Sequence, residues 1–270
     1  MSAKISLLER DYTANCLCNT KLGRGELTMK LNIKPDIVLR SVKTLTAKLS
    51  LRPIPMNDEN AWPLQIGHID AFIINKTMPS TYMPSQGGPK TGGKCKSKAW
   101  KQDLLESDLS EPSTDIAPRS MTMLFHPDGR PKTSAEFSAR ALRRRELCYI
   151  SYLFLEREYR RSGLGSVVLN LLLSALPRLK SHDCFSGPVW LTPGSVDLYV
   201  PDDEYFSVAG AERKALIQRK EDENLERLVA FYKKNGLSVW AELREELEES
   251  CVIMGVPLIC SEDKRLVESP

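Results

Sequence analysis

Along this chain the spacing of apolar residues switches between two and three-to-four. Residues 42–52 (VKTLTAKLSLR) alternate apolar and polar, the period of a half-buried strand, and Pro53 and Pro55 break the pattern. Residues 65–75 (QIGHIDAFIIN) predict a second strand, paired with the first as an antiparallel hairpin at the start of a sheet. Residues 147–155 (LCYISYLFL) form an unbroken apolar, aromatic and β-branched run, which predicts a buried central strand. Residues 166–176 (SVVLNLLLSAL) read as a buried helix stopped by Pro177. Further strands are predicted at 188–192 (PVWLT), from 238, and at 251–259 (CVIMGVPLI), with helices at 209–220 and 224–234. Helical spacing also marks 100–109, 116–125 and 134–145, with a turn at His126-Pro127-Asp128-Gly129. Residues 77–98 are rich in Pro, Gly, Ser and Lys and predict a flexible loop insertion, on which Lys90, Lys94, Lys96 and Lys98 read as solvated charges.

These elements predict an α/β chain of the α+β type: a mixed sheet flanked by helices, with a long insertion before its central strand. The expected organisation is an N-terminal extension over 1–40, one domain over 41–260 and a tail over 261–270.

Between the central strand and its helix lies Glu156-Arg157-Glu158-Tyr159-Arg160-Arg161-Ser162-Gly163-Leu164-Gly165. Strand, glycine turn and buried helix together suit a phosphate. Glycines let the backbone turn sharply and come close to a ligand. The first amides of a helix lack partners inside it, and the helix dipole adds positive charge there. Arg160 and Arg161 add two full charges.

Three phosphate-binding patterns compete for this turn. A P-loop requires Lys-Ser/Thr after its second glycine, where this chain has Ser166-Val167. The dinucleotide fingerprint requires a small residue where Val168 stands, and an acid closing a second strand, which Asp183 does not supply. The third pattern, Arg/Gln-x-x-Gly-x-Gly/Ala, is met by Arg160 to Gly165. It resembles the acetyl-CoA pyrophosphate loop of the GCN5-related N-acetyltransferase (GNAT) superfamily. Leu225 to Val239 (LERLVAFYKKNGLSV) resembles that superfamily's late helix through Phe231, Tyr232, Lys233, Lys234, Asn235 and Gly236. The two blocks span residues 147–259, somewhat under half the chain.

The resemblance implies an acetyl-CoA-dependent N-acetyltransferase that moves an acyl group to an amine on a small molecule or a protein. It implies a GNAT-like fold in which the central strand and the one at 188–192 splay to admit the pantetheine arm. Cofactor contacts then fall on Leu153, Phe154 and Leu155, on Arg160, Arg161, Ser162, Gly163, Leu164, Gly165 and Ser166, and on Asn224. The family's asparagine stands seven residues before its tyrosine, where this chain has Leu225, one step from Asn224. Tyr232 matches the thiolate-protonating tyrosine, and a phenol with an ordinary pKa near 10 suits a donor at neutral pH. The family's glutamate on the central strand is replaced by Tyr149 or Ser151, leaving Glu146 before the strand and Glu156 after it as candidate bases. A cofactor-holding but catalytically inactive relative is the alternative, and a chain whose glycine turn is purely structural is the third.

Composition narrows the field. The net charge of +3 in 270 residues gives no bulk electrostatic case for nucleic acid. The start of the chain does not read as a signal peptide, and no apolar run reaches bilayer length. Seven cysteines without a CxxC pair fit a reducing cytoplasmic or nuclear setting, in which the Asn75-Lys76-Thr77 sequon stays unmodified. Cys16-x-Cys18 lacks partners at ligand spacing, so no metal is expected. His68 and Asp70 share one face of a strand, an acid–base pair or a satisfied strand histidine. A Ser-His-Asp hydrolase is disfavoured, because there is no GxSxG and only three histidines.

Overall fold

The computed structural model describes residues 10–36, 41–54, 63–77, 121–126, 129–132, 136–179, 185–194, 210–243 and 251–258. Eight strands form one mixed sheet in the order β1-β2-β3-β4-β5-β6-β8-β7. They are β1 (Arg10–Thr20), β2 (Gly23–Pro35), β3 (Val42–Ile54), β4 (Leu64–Asn75), β5 (Glu146–Leu155), β6 (Pro188–Leu191), β7 (Ser238–Leu243) and β8 (Cys251–Pro257). Helices among the described residues include α1 (Glu136–Leu142), α2 (Leu164–Ala175) and α3 (Ala211–Lys234). The architecture is α+β.

Strands β1 to β5 are joined antiparallel in chain order, and β5 pairs parallel with β6. A parallel pair needs a crossover, and α2 is the helix in that connection. Strand alternation builds the core. Leu27, Met29, Leu31 and Ile33 of β2 are buried on one face with Leu45, Ala47 and Leu49 of β3, and α2 lies over them through Leu164, Val168, Leu169 and Leu172. Each of the leucine, isoleucine, valine and methionine side chains among these contributes about 1.5–3 kcal/mol through burial. On the opposite face a smaller cluster joins Val42, Ile74, Leu147, Tyr149, Trp190, Trp240 and Ile253 to Leu124, Phe125 and Leu142.

Three expectations change. Residues 10–35 are not an appendage: β1 and β2 extend the sheet beyond β3, and the alternation Leu27, Met29, Leu31, Ile33 carries the signal for it. The helices expected at 209–220 and 224–234 are one continuous helix of 24 residues, α3. No Pro or Gly interrupts Ala211–Lys234, so its polar middle stays helical. Helix α2 begins at Leu164, which brings Gly165 inside its first turn, and a 3-10 turn over Leu176–Arg178 carries the chain across Pro177. The helix expected at 116–125 is seen in its last turn, residues 121–124. The helix expected at 100–109 and the loop over 78–98 lie outside the described residues, as do the tail over 261–270 and residues 244–249 of the acidic run. Among the described residues no helix is long and apolar enough to cross a membrane.

Candidate functional site

The candidate site lies where β5 ends and α2 begins. Strand β5 pairs with β4 as far as Leu155, opposite Gly67, yet it pairs with β6 only over Cys148, Tyr149 and Ile150. From Ser151 onward its second edge has no strand partner among the described residues, so β5 and β6 part company there. A register shift between Asp70 and Ala71 leaves Ser151 as the extra residue of a bulge, and its hydroxyl donates to the Asp70 carbonyl at 3.0 Å. Bulges re-aim the residues that follow them.

After Leu155 a 3-10 turn over Arg157–Tyr159 leads into the glycine turn. Arg161 sits at φ +58 and Gly163 at φ +95, both in the left-handed region. Alternation of extended and left-handed backbone turns successive amides toward one side, a concavity suited to an anion. Buried Ser162 holds the turn in place. Its hydroxyl donates to the Tyr159 carbonyl at 2.6 Å and accepts from the Leu164 amide at 3.4 Å. Its carbonyl accepts from the Lys21 amide at 3.1 Å. The Arg160 amide is held by the Arg157 carbonyl and the Ser166 amide by the Gly163 carbonyl. The amides of Arg161, Ser162, Gly163 and Gly165 have no acceptor among the described residues. A Cβ placed on Gly163 would meet nothing within 4 Å, so the cradle is open at that point.

The two arginines part in role. Arg160 Nε donates to the Leu155 carbonyl at 2.7 Å, and the guanidinium lies 5.1 Å from the Phe154 ring centroid. Arg161 is exposed. Lys21, on the β1–β2 turn, is exposed beside the same loop, a third cation that the sequence reading did not find.

The C-terminal end of α3 reaches this corner. The Phe231 ring stands 3.3 Å from where a Gly165 Cβ would be, so a side chain at 165 would press against α3, and Leu155 closes the same contact. Tyr232 packs edge-on to Phe231 and is 9% exposed. Burial pushes its hydroxyl up to about 12. Asn224 stands eight residues before Tyr232 on the same helix, about 12 Å along its axis. A cavity of about 530 Å³ runs under α3, lined by Asp222, Leu225, Glu226, Lys233, Glu242 and neighbouring apolar residues; none of residues 160–166 lines it.

The two candidate bases are not brought together. Glu146 is the first residue of the ten-residue strand β5 and Glu156 follows its last, about 30 Å apart at about 3.3 Å per residue. Glu146 accepts from Asn75 Nδ2 at 3.4 Å. Glu156 is exposed at the glycine-turn end, its amide bound to the Ile66 carbonyl. Tyr149 is buried and Ser151 is spent on the bulge, so the middle of β5 offers no carboxylate.

A group that the chain order concealed lies on the sheet face next to the parted edge. The His68 ring stacks on Tyr152 and leans on Phe154, with centroids 5.2 Å and 5.3 Å away. His68 Nε2 is 3.8 Å from Asp70 Oδ2. Burial raises the Asp70 carboxyl above its usual range, and the neighbouring His68 partly offsets this.

Cys16 and Cys18 both lie on β1, with burial raising both thiols, and Cys148 is pushed up to about 12 in the core, so none is activated. Among the described residues no group of three or more His, Cys, Asp or Glu side chains could hold a metal ion. No family model matches the chain, and no curated protein matches it.

Proposed function

We propose that this protein is an acetyl-CoA-dependent N-acetyltransferase with a GNAT-like fold, acting on an amine. One observation carries the reading: four amides without an acceptor among the described residues, in a glycine turn at the mouth of α2, adjoining the edge of β5 that has parted from β6. A diphosphate needs converging N–H donors and positive charge in one small space. Arg161, Ser162, Gly163 and Gly165 supply the donors, and exposed Arg161 and Lys21 supply the charge. An extended pantetheine arm needs a strand edge with open backbone groups, and residues 151–154 present one among the described residues.

In this reading the backbone at Leu153, Phe154 and Leu155 pairs with the arm and polarises the thioester carbonyl through a main-chain N–H. The Leu155 carbonyl is already taken by Arg160, so pairing falls mainly to the residues before it. The Tyr232 hydroxyl, held protonated by burial, gives its proton to the departing thiolate. Acetyl-CoA supplies the activated acyl group, and the chain binds, orients and moves protons.

Isothermal titration with acetyl-CoA, followed by steady-state turnover against an amine panel, tests the reading. Micromolar binding lost in Gly163→Val supports it; no binding heat at high micromolar ligand removes it. A second reading is a module that holds the cofactor without catalysis. The carboxylate-free middle of β5 and the one-residue offset of Asn224 from the position seven before Tyr232, which turns it about 100° around α3, favour it. Binding without turnover of any amine would select it.

A further inference from the structure

We infer that His68 is the base that takes the proton from the acceptor amine, with Asp70 positioning its ring. The inference rests on the acyl-transfer reading above and names the residue that reading lacks.

A transferred acyl group must meet an uncharged amine, so a proton acceptor has to stand near the parted edge of β5. Strand β5 itself offers none between Glu146 and Glu156. The neighbouring strand does. His68 faces Phe154 across the β4–β5 ladder and Asp70 faces Tyr152, which places both on the segment where β5 has left β6. The open edge of β5 faces away from β4, so an occupant there lies two strand spacings from β4, about 10 Å, and the imidazole reaches its amine across the β5 face through a short relay of water. The ring lies against two neighbouring rings of β5, stacked on Tyr152 and leaning on Phe154, while Arg160 covers Phe154. Asp70 Oδ2 stands 3.8 Å from Nε2, longer than a hydrogen bond and close enough to orient the ring by charge, and this leaves Nδ1 as the ring nitrogen away from the carboxylate. His68 and Asp70 remain 40% and 42% exposed, so substrate and solvent reach them.

The charged and titratable groups around His68 among the described residues are Asp70 on β4, Lys48 opposite it on β3, Tyr152 on β5 and Arg160 beyond Phe154. His68 Nδ1 accepts one proton from the ammonium acceptor. The freed nitrogen forms its bond to the thioester carbon, the C–S bond breaks, and the electron pair leaves on sulfur. Sulfur takes a proton from Tyr232, and the second proton that nitrogen loses as the amide forms passes through water to restore the Tyr232 hydroxyl. The proton on His68 returns to solvent.

The test compares wild type, His68→Gln and Asp70→Asn, using acetyl-CoA with spermidine, tyramine and a lysine-containing tetrapeptide amide as acceptors between pH 5.5 and 9.5. Acetyl-CoA affinity and melting temperature serve as controls. The expected result for His68→Gln is wild-type affinity and melting, kcat/KM lower by about 100-fold, and loss of the acidic limb of the rate profile. Added imidazole should restore part of the rate in His68→Gly. Asp70→Asn should lower kcat and move the acidic limb, whereas a purely structural role would change melting alone. Wild-type turnover with the profile unchanged in His68→Gln overturns the base and leaves the transferase reading standing. Cofactor binding without turnover of any amine in wild type overturns the base and selects the non-catalytic module. No acetyl-CoA binding in wild type overturns both.

Discussion

Arg160 donates its Nε–H to the Leu155 carbonyl over 2.7 Å while covering the Phe154 ring, so it fastens the start of the glycine turn to the last residues of β5. Removing it breaks a charge-assisted hydrogen bond and leaves that carbonyl without its partner. Arg160→Ala should cost about 1.5–3 kcal/mol in chemical denaturation. Arg160→Lys should recover little, because an ammonium lacks the planar fork that bonds and stacks together.

Arg161 behaves oppositely. It is exposed and held at φ +58, where an L side chain is strained. Arg161→Gly should therefore stabilise the fold by about 1 kcal/mol. The same change should weaken acetyl-CoA binding and flatten its dependence on salt, read by titration at two ionic strengths. A variant both more stable and equally tight would remove Arg161 from the anion site.

Gly163 meets open space but sits at φ +95. Valine there has room for its methyls yet faces backbone strain of about 1–3 kcal/mol. Gly163→Val should stay folded by circular dichroism and lose acetyl-CoA binding. Gly163→Asn, which tolerates left-handed backbone, should retain more of both. Equal affinity in wild type and Gly163→Val would refute the cradle.

Tyr232→Phe isolates one hydroxyl. That hydroxyl makes no hydrogen bond to the described residues, so melting should hardly change. Turnover should fall by about 10–100-fold with acetyl-CoA affinity intact. Because burial raises the phenol from its ordinary value of 10.0 to about 12, its contribution to stability is full below pH 10 and is lost as pH rises through 12. Denaturation at pH 9 and pH 11 should show this loss in wild type and not in the phenylalanine variant.

Lys76 offers a second pH test. Its Nζ donates to the Leu142 carbonyl at 2.6 Å and lies 5.7 Å from the Phe125 ring centroid, and burial lowers its pKa from 10.5 to about 8. The folded state sheds this proton before the unfolded state does, so stability gains between about pH 8 and 10.5. Relative to Lys76→Met, wild type should gain up to about 3 kcal/mol across that window, reduced by the solvent that still reaches the group. An unchanged difference would show the ammonium to be well hydrated.

How much of this was legible depends on how far along the chain each cause reaches. The runs at 42–52, 65–75, 147–155 and 251–259 became β3, β4, β5 and β8, because side-chain period is written in adjacent residues. The glycine turn was legible for the same reason: Gly163 and its neighbours set local backbone handedness and start a helix. Tertiary structure alone decided the rest. The parting of β5 from β6 after Ile150 depends on pairing between segments about forty residues apart. The register of β4 on β5 places His68 against Phe154, and a bulge at Ser151 sets that register. Lys21 reaches the loop because β1 and β2 fold under α2, and Glu146 is carried away from it by the length of the strand. Period and turn chemistry are local and survive in a bare sequence; edge pairing and register are settled by contacts between distant residues, which no single stretch encodes.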